Sequence, residues 1–167
     1  MKRREFVALA AGLGVSFTGF SAAAVEEGPV THLPIPRFVS LKGTEGYARR
    51  GPSLTQRIDW VFTRNGMPLK VTGEFDHWRR VEDKDGLGGW MYYTRISGAR
   101  TVIITNAMAD LRSLPDPEAP VTARAELNVI ARLLSARETW CRISAGGTGG
   151  WILKSDVWGV GADEVVS

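Results

Sequence analysis

Beyond residue 36 the chain breaks into short runs in which apolar and polar residues alternate, and Gly, Pro, Asn and Asp fill the gaps between runs. Phe38-Val39-Ser40-Leu41, Trp60-Val61-Phe62-Thr63, Leu69-Lys70-Val71-Thr72, Trp78 to Glu82 and Trp90-Met91-Tyr92 all suit strands. They are separated by Gly51-Pro52, Asn65-Gly66, Asp76-His77 and Lys84-Asp85-Gly86. Five short strands in about sixty residues predict a small barrel.

The pattern then repeats. Trp78-Arg79-Arg80-Val81 followed by Gly88-Gly89-Trp90 returns as Trp140-Cys141-Arg142-Ile143 followed by Gly149-Gly150-Trp151, with a period of about sixty residues. Thr101 to Thr105 opens the second unit, and Trp140 to Ser144 and Trp151 to Leu153 close it. Between them, residues 119–137 are rich in Ala, Arg, Glu and Leu, which read as a helix on propensity alone. The register set by the tryptophans argues otherwise. It places Asn128 on Gly66 and Leu133 on Val71, which predicts two strands around a turn, because tertiary context overrides weak propensity. The glycine-rich runs at Gly86 to Gly89 and Gly146 to Gly150 lead into strands, so they are hairpin loops and not phosphate cradles.

Residues 1–24 have the pattern of a cleavable signal peptide: Lys2, Arg3 and Arg4, a charge-free apolar run from Phe6 to Phe20, and Ala22-Ala23-Ala24 before the expected cut. The run is short for a bilayer span, so stable membrane insertion after cleavage is not expected. Arg3-Arg4-Glu5-Phe6-Val7 resembles a twin-arginine signal but lacks the preceding Ser or Thr, which leaves the Sec and twin-arginine routes both open. The expected location is periplasmic or secreted. Residues 25–36, with Pro29, Pro34 and Pro36, form an extended Pro-rich linker predicted to run over the surface.

Of the chain's net charge of +3, residues 2–5 carry +2, which leaves +1 for the rest. No basic stripe remains to track a row of phosphates, so nucleic acid is not an expected partner. The single cysteine, Cys141, has no disulfide partner within the chain and is expected to face inward as an apolar filler. The two histidines lie in the linker (His32) and at a turn (His77). With no nucleophile–base pair, tuned carboxylate pair or metal-spaced cluster in view, the reading is of a non-enzyme that needs no cofactor or metal.

Three short marks recur in order: Tyr47-Ala48-Arg49-Arg50-Gly51-Pro52 and Leu111-Arg112-Ser113-Leu114-Pro115, each taken as a first loop; the Trp-x-x-Val and Trp-x-x-Ile strands at Trp78 and Trp140; and the Gly-Trp pairs at Trp90 and Trp151. On these marks the chain resembles the bacterial SH3-like family, as a tandem pair in a small exported protein of Gram-negative type. The resemblance implies an all-β fold of two tandem five-stranded SH3-like barrels, over residues 37–97 and 98–160, with a tail at 161–167. It also implies a cell-envelope setting and binding of cell-wall peptidoglycan or of an envelope-protein peptide.

Strand alternation locates the candidate surface. If Val81 and Ile143 point inward, Trp78, Arg80, Trp140 and Arg142 point outward, and Met91 and Ile152 inward leave Trp90, Tyr92 and Trp151 outward. With Arg49 and Arg112 at the first loops, these nine residues are the ligand-binding candidates, suited to a proline-rich peptide, a sugar ring or an acidic stem peptide. Two alternatives stand beside that reading: the rings cover a thin core, or they are buried in protein–protein contacts of a structural or assembly protein. Arg49 and Arg112 serve either a ligand carboxylate or their own loops. The short connector Ser97-Gly98-Ala99-Arg100 predicts a fixed side-by-side pair with a shared apolar seam, joined or capped by Trp158.

Overall fold

The computed structural model describes residues 24–167, so the expected signal segment lies outside the described residues except for Ala24. A small hairpin comes first, β1 (Glu26–Glu27) with β2 (Pro34–Ile35). The first repeat holds β3 (Arg37–Leu41), β4 (Gly46–Arg49), β5 (Ile58–Phe62), β6 (Pro68–Phe75), β7 (Trp78–Glu82), β8 (Gly88–Tyr92) and β9 (Ile96–Ser97). The second holds β10 (Thr101–Ile104), β11 (Met108–Arg112), β12 (Val121–Glu126), β13 (Ile130–Ala136), β14 (Trp140–Ala145), β15 (Thr148–Leu153) and β16 (Val157–Trp158).

The expected pair of five-stranded barrels is corrected by this topology. Each repeat forms a seven-stranded antiparallel sheet, in the orders β5-β4-β8-β7-β6-β3-β9 and β12-β11-β15-β14-β13-β10-β16, and in neither do the two end strands pair to close a barrel. The extra strands are hidden in the sequence for a physical reason. Gly46 and Ala48 are the inward residues of β4, so its alternation is real but carries almost no hydrophobic signal; Arg49 is therefore on a strand, not in a loop. β9 is only two residues long and comes after a single 3-10 turn at Tyr93–Arg95.

Each strip curls over its inner face, as twisted sheets do. Val39, Leu41, Ala48, Phe62, Leu69, Val71, Val81 and Met91 meet in one cluster, and Val102, Ile104, Leu111, Leu133, Ile143 and Ile152 meet in its counterpart. Residues 119–137 contain β12 and β13 and no helix; Asn128 turns the chain at φ 66°, as Gly66 does at φ 74°. A bulge recurs too, between Val71 and Gly73 in β6 and between Leu133 and Ser135 in β13. Cys141 is fully buried in the second core, as expected of a filler.

The far ends of β6 and β13 are sealed differently. In the first repeat the buried pair Glu74 and Arg79 face each other across the hairpin, and Glu74 also holds the N-terminal segment. Its carboxylate accepts from the Val30 N–H (3.0 Å), the Thr31 N–H (2.9 Å) and hydroxyl (2.6 Å), and the Arg37 guanidinium (2.8 Å). Residues 25–36 are thus a pinned hairpin and not a plain extended linker. In the second repeat Ala136 and Cys141 occupy the same two positions, and Val166 of the tail bridges to Ala136. The tail is held by Arg100 on Glu164 and by Lys154, which donates to the carbonyls of Ala162 and Glu164.

The two repeats meet along a seam that is partly aromatic and partly hydrogen-bonded. Phe38 packs edge-on against Trp158 at 5.1 Å, which places Trp158 in the seam. The Arg100 guanidinium lies 5.7 Å from the Phe38 ring. The Thr101 hydroxyl donates to the Gly66 carbonyl (2.6 Å) and Arg64 to the Asn128 carbonyl (2.7 Å), so the equivalent turns of the two repeats lie on the same boundary.

Burial alone would raise the pKa of Glu74, but the Thr31, Arg37 and Val30 donors outweigh it and bring it from 4.5 down to about 2. A carboxylate with a depressed folded-state pKa stabilises the fold above its unfolded value, and that stability is lost as pH falls. Urea unfolding should therefore show on the order of 3 kcal/mol lost between about pH 4.5 and pH 2, and Glu74→Gln should flatten this dependence. Trp158→Ala should split a single calorimetric transition into two, because it removes the aromatic contact across the seam.

Candidate functional site

The outer face of each sheet carries one row with the same cross-strand order. Trp90 of β8 lies opposite Arg49 of β4 on one side and Arg80 of β7 on the other; Trp151 lies opposite Arg112 and Arg142 in the same way. A second pair stands beside each row, Trp78 opposite Tyr92 and Trp140 opposite Leu153. All nine residues singled out from the sequence therefore belong to two equivalent surfaces. Glycines make room for the rows: a side chain at Gly89 or Gly150 would run into the backbone carbonyl of Arg49 or Arg112.

The tryptophans are less open than strand alternation implies. Trp78 is 7% exposed and Trp151 9% exposed, although neither belongs to an inner core cluster. Trp78 is covered by Tyr92, edge-on at 5.4 Å, and Trp151 by the Arg137 guanidinium at 5.0 Å. Trp90 and Trp140 are half-buried, while Arg80 and Arg142 are exposed. The arginines of the edge-side strands brace their loops. Arg49 donates to the Leu54 (3.1 Å) and Gln56 (2.8 Å) carbonyls, and Arg112 to the Ala119 carbonyl (2.7 Å).

The equivalence ends at the aromatic residues around Trp78. In the first repeat Tyr92 stacks on His77 (5.9 Å) and lies 5.2 Å from Tyr93, which itself packs on His77 (5.6 Å). Tyr92 and Tyr93 are both exposed. Beside them is a cavity of about 230 Å³ lined by Tyr47, Arg49, Leu54, Trp78, Tyr92, Thr94 and Arg95. The Glu45 carboxylate raises the pKa of the Tyr47 phenol through a hydrogen bond, against the nearby charges of Arg95 and Arg49. In the second repeat the strand register puts Asp110 at the place of Tyr47, Leu153 at Tyr92, Lys154 at Tyr93 and Asp156 at Arg95. Tyr47, Tyr93 and Arg95 were not singled out from the sequence. The signal for them lies in what differs between the repeats and not in what recurs.

Among the described residues there is no group of three or more His, Cys, Asp and Glu side chains placed to hold a metal ion. Cys141 and Arg142 sit on opposite faces of β14, one buried and one exposed, so they form no reactive pair. Burial raises the Cys141 thiol to about 12, with only a small opposing effect from Lys154.

The sequence matches the bacterial SH3 domain twice, over residues 42–98 and 105–159. The chain belongs to the bacterial SH3 domain family. The expected tandem is thereby shown. No curated protein matches the chain in sequence. Two solved structures similar to this SH3 tandem are of NlpC2 and NlpC1 from Trichomonas vaginalis. The first is 16% identical, over 74% of this chain and 48% of the other, with a TM-score of 0.34; the second is 15% identical, over 73% and 45%, also with a TM-score of 0.34. The chain spans under half the length of either, and similarity this slight supports no statement about activity. Among the described residues of the tandem no helix is long and apolar enough to cross a membrane.

With its thiol held neutral and covered, Cys141 should stay unmodified by Ellman's reagent at pH 8 in the native protein and react fully once urea unfolds it.

Proposed function

We propose that this SH3 tandem is an exported protein of the cell envelope whose first repeat binds an acidic peptide, either the stem peptide of peptidoglycan or a segment of an envelope protein. The observation that carries this reading is the cavity between Tyr47, Trp78 and Tyr92, which has two arginines, Arg49 and Arg95, at its wall. Flat rings accept the apolar body of a peptide at little entropic cost, since each has only two side-chain torsions to fix. A guanidinium at the edge then selects a carboxylate. Arg49 spends one nitrogen on the loop carbonyls, and Arg95 has no side-chain partner among the described residues, so charge remains for a ligand.

The envelope setting is supported by the sequence of residues 1–24 and by the near-neutral balance of residues 25–167. The seam between the repeats involves Phe38 and Trp158 and leaves the Tyr92–Tyr93 surface open, which favours recognition there over burial against the neighbouring repeat.

Retention of the full chain on purified cell-wall sacculi tests the reading. Tyr92→Ala combined with Arg95→Ala changes only exposed side chains and should reduce retention at least about thirtyfold, as expected from one aromatic contact and one charge-assisted hydrogen bond. Leu153→Ala at the equivalent place in the second repeat should leave retention unchanged. Equal retention of all three proteins on sacculi, and on peptides from envelope proteins, would count against the proposal.

A further inference from the structure

The outer face of the second repeat differs from the first in charge as well as in its rings. In the first repeat the arginine–tryptophan row is bordered by two carboxylates, and both are taken up by neighbouring cations. Asp59 accepts from Arg57 (2.8 Å) and Arg50 (3.1 Å), and Glu82 pairs with Lys70 at 2.9 Å. The strand register places Thr122 at the position of Asp59 and Ser144 at that of Glu82. Both acids are gone; Ser113 and Pro120 stand where Arg50 and Arg57 do, so the cations paired with Asp59 are lost with it, while the two on the other side are kept. Arg132 lies opposite Ser144 as Lys70 lies opposite Glu82, and Arg142 stands where Arg80 does.

The result is an open cavity of about 590 Å³ lined by Arg112, Arg142, Ser113, Thr122, Ser144 and Trp151. No carboxylate lines it. Among the described residues Arg132, Arg137 and Arg142 take part in no ion pair. Asp110, on this face but outside the cavity lining, pairs with Arg124 at 3.0 Å and more loosely with Arg112 at 3.7 Å. Arg112 is fixed by the Ala119 carbonyl and Trp151 is clamped under Arg137, so the floor is rigid before any ligand arrives.

We propose that this cavity is an oxyanion site, in which Arg112 and Arg142 grip a carboxylate or a phosphate group while the Ser144 hydroxyl adds a further donor; the Thr122 hydroxyl donates to the Leu111 carbonyl (3.2 Å) and forms part of the wall. Guanidinium groups pair with planar or tetrahedral oxyanions through two parallel N–H donors, and hydroxyls serve as adaptable further donors. Two arginines on either side of one tryptophan are about 10 Å apart at the backbone, two strand spacings, and their long side chains can converge on one group. The site is separate from the aromatic cavity of the first repeat and stands or falls independently of it.

The test is a titration of the isotopically labelled full chain with sodium phosphate and with sodium acetate, against sodium chloride at matched ionic strength, read by amide and indole N–H shifts. Saturable shifts of Gly149, Gly150 and the Trp151 indole are expected with an oxyanion and not with chloride. Tighter binding of phosphate or of acetate assigns the group. Arg142→Gln changes one exposed side chain and should weaken binding about tenfold, the loss of one charge-assisted hydrogen bond. Thr122→Asp with Ser144→Glu restores the acids of the first repeat and should abolish binding. Shifts no larger than those of chloride, an equal response at Gly88 and Gly89, or undiminished binding by the double acidic variant would each overturn the proposal.

Discussion

A curled strip of seven short strands encloses too little apolar volume to seal its own ends, and that shortage governs the rest of the molecule. About sixty residues cannot both fill a core and cap it. Each repeat therefore borrows a cap. The first is closed by the N-terminal hairpin, fastened through the buried Glu74 carboxylate; the second is closed by the C-terminal tail, through Val166 and the Arg100–Glu164 pair. Glu74 and Arg79 in one repeat and Ala136 and Cys141 in the other are alternative solutions at one place. A polar peptide cap calls for a charged anchor with all its hydrogen bonds met, whereas an apolar tail needs only small side chains to lie on. Cys141 needs no chemical role to explain its position.

Once the inner face is committed to packing, recognition is left to the outer face, and there the duplication has diverged. The Arg–Trp–Arg rows are the shared frame, positioned by bulges at equivalent places in β6 and β13. Around that frame the first repeat keeps rings and paired acids, and the second replaces the rings with Leu153 and Lys154 and the acids with Thr122 and Ser144. One surface is apolar and cationic, the other polar and cationic.

Repetition makes much of this legible in advance. The tryptophan register assigns residues 119–137 to strands against their helical composition, and Asn128 takes the left-handed turn that Gly66 takes, as that register requires. Strand register places the nine candidate residues in two equivalent sets, but alternation alone does not reveal that Trp78 and Trp151 are buried. β4 escapes a pattern reading because its inward residues are Gly46 and Ala48, which alternate without being hydrophobic; β9 escapes it because two residues are too few for any period. Five legible runs per repeat suggest a closed barrel; the two further strands in each repeat extend the sheet to seven, and its end strands do not pair.

The chain's own order of residues determined that there are two copies of an all-β unit, which side chains face away from each core, and that no disulfide can form within it, because period, alternation and composition are local properties. What covers Trp78 and Trp151, how each strip's open end is closed, and that the outer face of one repeat gathers rings while the other leaves Arg132 and Arg142 without ion pairs among the described residues were decided only in three dimensions. Those features depend on residues that meet across strands far apart in sequence, such as Glu74 with Thr31 or Arg112 with Trp151, and no local pattern records such a meeting.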